Sequence, residues 1–150
     1  MRKRKVITLI TLVFCLALLA QKNERDIYLD SLAKHIQFKY KGLAFKKGTL
    51  DVVKKIQAYI KNNNNNYLVE VHTCSVGKAT DNQKLTDKRA KVLEELFLKQ
   101  GIDSSRIVIM GLGERNPCCI TRTRATRYLN RRVEFSKISK DEIKKLKRDK

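Results

Sequence analysis

The chain has 150 residues, which suits one domain of ordinary size, and carries 34 Lys and Arg against 15 Asp and Glu, a net charge of +19. Such a surface attracts polyanions. Nucleic acid is the usual first candidate, but the start of the chain argues against it.

"MRKRKVITLITLVFCLALLA" places Arg2, Lys3, Arg4 and Lys5 before an apolar run from Val6 to Ala20. A charged start, a short apolar stretch and a small residue before "QKN" predict an export signal over 1–20, cut after Ala20. At 15 residues the run is short for a membrane span, so the mature chain is expected to have none. Cys15 would anchor a lipid only if a small residue preceded it, and Phe14 is bulky. Outside the cytosol the anionic partners on offer are lipids and wall polymers. Abundant lysine and asparagine, including "NNNNN" at 62–66, equally fit a solvated coat.

Residues 21–34 read as a short polar leader. Ile36, Phe38 and Tyr40 alternate with Gln37 and Lys39, predicting a half-buried first strand. Gly48 and Thr49 start a helix with a stripe of Leu50, Val53, Ile56 and Ile60. "YLVEVHT" predicts a second strand with Tyr67, Val69 and Val71 on one face. A second helix begins near Thr80, where Thr80 and Gln83 have capping-box spacing. Its packed side carries Leu85, Val92, Leu93, Leu96 and Phe97, and Gly101 ends it. "RIVIM" is a third strand, "GLGERNP" a turn-rich loop, and "NRRVEF" a fourth strand with Val133 and Phe135 inward. The basic tail 137–150 holds only Ile138, Ile143 and Leu146 as sizeable apolar residues. It is expected to be frayed or disordered and dispensable for folding. The whole predicts an α+β fold over 35–136: a two-layer sandwich with two main helices on one face of a mixed four-stranded sheet.

One arginine stands out. Arg89 is four residues from both Leu85 and Leu93, so it shares their side of the helix, as does Asn82. A guanidinium there is costly unless its charge is met. It could also snorkel outward or pair with a structural carboxylate.

"VHTCSVG", "NQKLTDKRA", "GIDSSRI", "GLGERNP" and "NRRVEF", in this order, resemble the C-terminal domain of the outer-membrane protein A family. The resemblance runs from about Ile36 to Phe135. It implies non-covalent binding of peptidoglycan through the diaminopimelate of the peptide stem, with no catalysis and no cofactor. It implies that Arg89 meets the ligand carboxylate and that Asn82 occupies the helix start beside it. The family's acid for the ligand ammonium falls on Cys74, a neutral thiol, which implies weakened binding. Ile120 and Thr121 replace an acidic–amide pair, and Val71 replaces a glycine. Arg127, Asn130, Arg131 and Arg132 match positions that look structural.

Because the family's loops after the second and third strands flank one pocket, the resemblance implies a disulfide from Cys74 to Cys118 or Cys119 in an oxidising compartment. A metal set of His72, Cys74, Cys118 and Cys119 matches no common spacing, and no metal is expected. A catalytic Cys74–His72 pair lacks an orienting carboxylate. The expectation is a periplasmic envelope protein associated with the wall or outer membrane, with peptidoglycan and other envelope proteins as partners. The rivals are a degenerate copy of the fold serving as a structural or protein-interaction module, and a thiol or metal protein built on Cys74.

Overall fold

Tyr67, Val69 and Val71 alternate with Leu68, Glu70 and His72, and the strand they form, β1 (Asn66–His72), is the middle of the sheet. The computed structural model describes residues 24–120 and 123–150, so the expected signal segment and Thr121 lie outside it. β2 (Ile107–Gly113) runs parallel to β1, and β3 (Val133–Ile138) runs antiparallel to it. The described sheet is therefore mixed and three-stranded, of order β2-β1-β3. Among the described residues five α-helices accompany it: α1 (Ile27–Ala33), α2 (Thr49–Lys61), α3 (Ala79–Lys99), α4 (Arg124–Asn130) and α5 (Lys140–Arg148).

The expected first strand does not join this sheet. Around Gly42 the chain reverses too soon for a long strand to form. Phe38 bridges Phe45 instead, with ring centroids 4.6 Å apart. Lys39 N donates to Ala44 O and Lys46 N to Gln37 O, making a short two-stranded arm. The open edge of β3 is taken by the leader, where Arg25 bridges Ser136. The leader is thus part of the domain: Asp26 caps α1 by accepting from Leu29 N, and Leu29 and Ala33 enter the core.

On that face of the sheet, Tyr67, Val69, Val71 and Phe135 pack against Val53, Ile56 and Ile60 of α2 and Leu93 and Phe97 of α3. Leu50 was expected in the α2 stripe, but it is 44% exposed because the buried stripe starts at Thr49. The expected Thr80–Gln83 box is not made. α3 begins one residue earlier, and Lys78 at its N-cap makes no side-chain bond. Gln83 instead donates to Gly111 O at 2.8 Å and ties the first turn to β2. At the other end Gly101 adopts φ +81°, and Ile102 N bonds Phe97 O while Gly101 N bonds Leu98 O. Those paired bonds stop the helix as its glycine predicted.

The opposite face is covered too, and this corrects the reading of residues 137–150. Lys137 and Ile138 complete β3, and Ser139 and Glu142 form a capping box for α5. Ile143 packs with Leu68, Val108 and Ile138, with Met110 and Leu146 beside them. Three apolar residues suffice because they land on a preformed sheet and need not build a core alone. Truncation after Ser136 should therefore cost about 3 kcal/mol, since burying one such side chain contributes about 1.5–3 kcal/mol. The thermal midpoint should fall by about 10 °C. A midpoint within two or so degrees of the parent's would mean that α5 rests on the sheet without stabilising it.

Candidate functional site

The arm, the β1–α3 turn, the inner side of α3 and the short α4 enclose a cleft of about 790 Å³. α4 was not foreseen; Thr123 and Thr126 start it with a capping box. Gln37 of the arm donates to the Tyr128 hydroxyl of α4 across the mouth. Arg89, Asn82 and Cys74, the three residues singled out from the sequence, all line this cleft.

Arg89 is 6% exposed, and its guanidinium lies 4.7 Å from the Phe38 ring centroid. Nε donates to Gly42 O at 3.2 Å, and Nη2 donates to Lys39 O at 3.2 Å and Gly42 O at 3.1 Å. These carbonyls satisfy hydrogen bonds but not charge. No carboxylate among the described residues lies within ion-pair reach of Arg89. Residues 1–23 and 121–122 contain no Asp or Glu. Burial lowers the pKa of Arg89, and the neighbouring charge of Arg131 lowers it further.

Asn82 lies in the first turn of α3 and lines the cleft, with its amide committed within the protein. Its Nδ2 donates to Glu114 Oε2 at 2.6 Å and to Cys74 O and Val76 O, both at 3.3 Å. It holds the β1–α3 turn in shape. Cys74 is a buried free thiol, with Arg131 Nη1 3.6 Å from its sulfur. The expected bridge from Cys74 to Cys118 or Cys119 is not formed. Those two thiols are also free and lie 3.1 Å from each other, on a turn clipped by Asn130 Oδ1, which accepts from both backbone N–H groups.

Arg131 was read as structural. The alternation Arg131, Val133, Phe135 could have placed it on the inner side, since residues two apart on a strand share a face. Arg132 and Glu134 alternate outward. There Glu134 Oε1 accepts from Arg25 at 2.6 Å and Arg132 at 2.7 Å, while Oε2 is 3.7 Å from His72 Nε2. Burial pushes Glu134's carboxyl up, but the Arg132 hydrogen bond and the charges of Arg132 and Arg25 outweigh it, and the net shift is downward. Glu70, His72 and Glu134 bring potential ligand atoms within 4.8 Å of one another. With two guanidiniums already on Glu134, the arrangement is that of an ion-pair network. His72 does not join Cys74 and the Cys118–Cys119 pair in a common ligand set.

His72 gives a pH signature. Burial, aided by the charge of Arg132, pushes its imidazole down to about 4, against about 6.5 in an unfolded chain. Between those values the unfolded chain binds more protons, so stability rises with pH. The contribution is complete above about 6.5 and is lost as pH falls toward 4, by about 3 kcal/mol. Denaturant titrations at pH 7 and pH 4.5 should show the loss, and His72→Asn should flatten it. An equal slope in the variant would assign the loss to other groups.

The profile of the OmpA family matches residues 37–131. This chain belongs to the OmpA family. Outer membrane porin F of Pseudomonas fluorescens is 42% identical over 71 residues, covering 47% of this chain and 22% of the porin. The outer-membrane lipoprotein YfiB of Pseudomonas aeruginosa is 38% identical over 65 residues, covering 43% of this chain and 39% of the lipoprotein. The chain thus spans less than half the length of these relatives. The crystal structure of the peptidoglycan-associated lipoprotein from Burkholderia pseudomallei superposes with a TM-score of 0.62 at 18% identity, covering 69% of this chain and 88% of that one. The fold is shared at that distance. No helix among the described residues is long and apolar enough to cross a membrane.

Proposed function

We propose that this OmpA-family domain binds peptidoglycan non-covalently in the cell envelope, on the periplasmic side, and performs no catalysis. The observation that carries the reading is Arg89. A guanidinium 6% exposed, facing a cleft and without an acid partner, is a costly residue to keep unless a ligand carboxylate meets it. Its fork suits a carboxylate of the peptide stem, that of diaminopimelate in particular. Cys74, standing where the family has an acid, leaves the ammonium of such a residue without a counter-charge. The relatives support the compartment, since porin F and YfiB are described as outer-membrane proteins.

A second reading has one observation in its favour. The arm carbonyls of Lys39 and Gly42 already occupy Nε and Nη2 of Arg89, as they would in a copy of the fold that has become a structural or protein-interaction module. Sedimentation of the protein with purified wall sacculi at low salt separates the two. Retention that soluble stem peptide competes away supports wall binding. An unbound protein at micromolar concentration favours the module.

A further inference from the structure

Charge accounting in the cleft leads beyond the wall reading. Nine basic side chains line it, of which Arg132 is already paired with Glu134, against one acid, Asp81. The two guanidiniums that matter most are Arg89 and Arg131. They are near enough for one to disfavour the charge of the other, and neither has an ion-pair partner among the described residues. Their contacts are neutral: carbonyls for Arg89, a thiol and the Tyr128 ring for Arg131.

A peptide end of diaminopimelate brings two carboxylates and one free ammonium, so it delivers one negative charge fewer to this space than the same end without the ammonium. One of its carboxylates could satisfy Arg89, but its ammonium would then lie toward Cys74, where it meets Arg131 in place of an acid. A head with two carboxylates and no ammonium supplies one anion for each guanidinium. Lys39, Lys41 and Lys46 of the arm raise the potential at the mouth in the same sense.

We propose that the cleft selects a dicarboxylate without a free ammonium, and that Cys74 and Arg131 set this choice. The inference rests on Arg89 as the ligand anchor, but not on the wall as the source of the ligand. Wall peptides whose terminal amine is absent or blocked would fit better than those in which it is free.

The test uses the full chain and three probes in calorimetric titrations at low salt: a stem tripeptide ending in diaminopimelate, the same tripeptide ending in 2-aminopimelate, and pimelate. The second probe lacks only the terminal ammonium, and the third lacks every amine. The tripeptide without the ammonium should bind at least threefold more tightly than the one with it. In Cys74→Asp the order should reverse, with the ammonium-bearing peptide at least tenfold tighter. Arg131→Gln should shrink the parent's preference toward one, which guards against a Cys74→Asp that fails to fold. If the parent binds the two tripeptides within threefold of each other, or binds the ammonium-bearing one more tightly, the selection is wrong although wall binding stands. If only pimelate binds, and Arg89→Met abolishes that binding, the selection stands and the wall reading falls. If none of the three binds, both fall.

Discussion

Arg89→Ala should abolish retention on sacculi, weakening binding by at least a hundredfold. A charge-assisted hydrogen bond contributes about 1.5–3 kcal/mol, and a carboxylate held by this fork makes more than one. The informative half of the result is stability. A structural arginine buried in an ion pair destabilises strongly when removed, by about 3–5 kcal/mol, because its partner is stranded. Arg89 has no such partner, and what it would leave behind are the carbonyls of Lys39 and Gly42 at the edge of an open cleft. Arg89→Met, which keeps the contact with Phe38, should therefore lose binding while its melting temperature stays level or rises. A variant that loses both together would assign Arg89 to the scaffold.

Gly111→Ala should be the most damaging single methyl in the domain. A Cβ there would stand 2.5 Å from both Asp87 N and Thr86 C of α3, and those are backbone atoms that cannot swing aside. Overpacking of this kind costs about 1–3 kcal/mol, occasionally more, and a clash with main chain belongs at the upper end. The helix would have to lift off β2 at the turn that carries Arg89. Denaturant midpoints should fall by an amount equivalent to about 3 kcal/mol, and sacculus binding should weaken even in protein that remains folded. An unchanged midpoint would show that α3 can rise from the sheet at little cost.

These two positions mark what could be read from the sequence and what could not. Arg89 was legible because 3.6-residue periodicity put a charge among leucines. The strands from Tyr67 and Val133 were legible from period-two alternation and that from Ile107 from a short apolar run, although helices cover both faces of the sheet. Gly111 was not, because "GLGERNP" reads as turn chemistry, while the structure uses its first glycine for a close helix–strand approach. The first strand failed for the opposite reason: Ile36, Phe38 and Tyr40 alternate well, but alternation carries no information about which edge a segment will find. The tail failed because its few apolar residues were weighed as an isolated helix, not against the outer face of the sheet that Leu68, Val108 and Ile138 make apolar. Of the site, Cys74 was located by resemblance and Asn82 by helical spacing together with it, but their partners Arg131 and Glu114 come from distant segments that no local pattern links.

The leader that crosses β3 has a bearing on how this domain can meet other proteins. Asp30 Oδ1 accepts from Phe135 N at 2.7 Å, Asp26 N donates to Phe135 O at 2.9 Å, and Lys137 N donates to Glu24 O at 2.8 Å. Both main-chain groups of Phe135 and the N–H of Lys137, which a visiting strand would use in the middle of that border, are already spent. A partner strand, or a second copy, would have to displace the leader before it could zipper onto the sheet there. While the leader holds, recognition at that border has to proceed through side chains, and a chain trimmed of residues 24–30 would present a sticky rim in place of a sealed one.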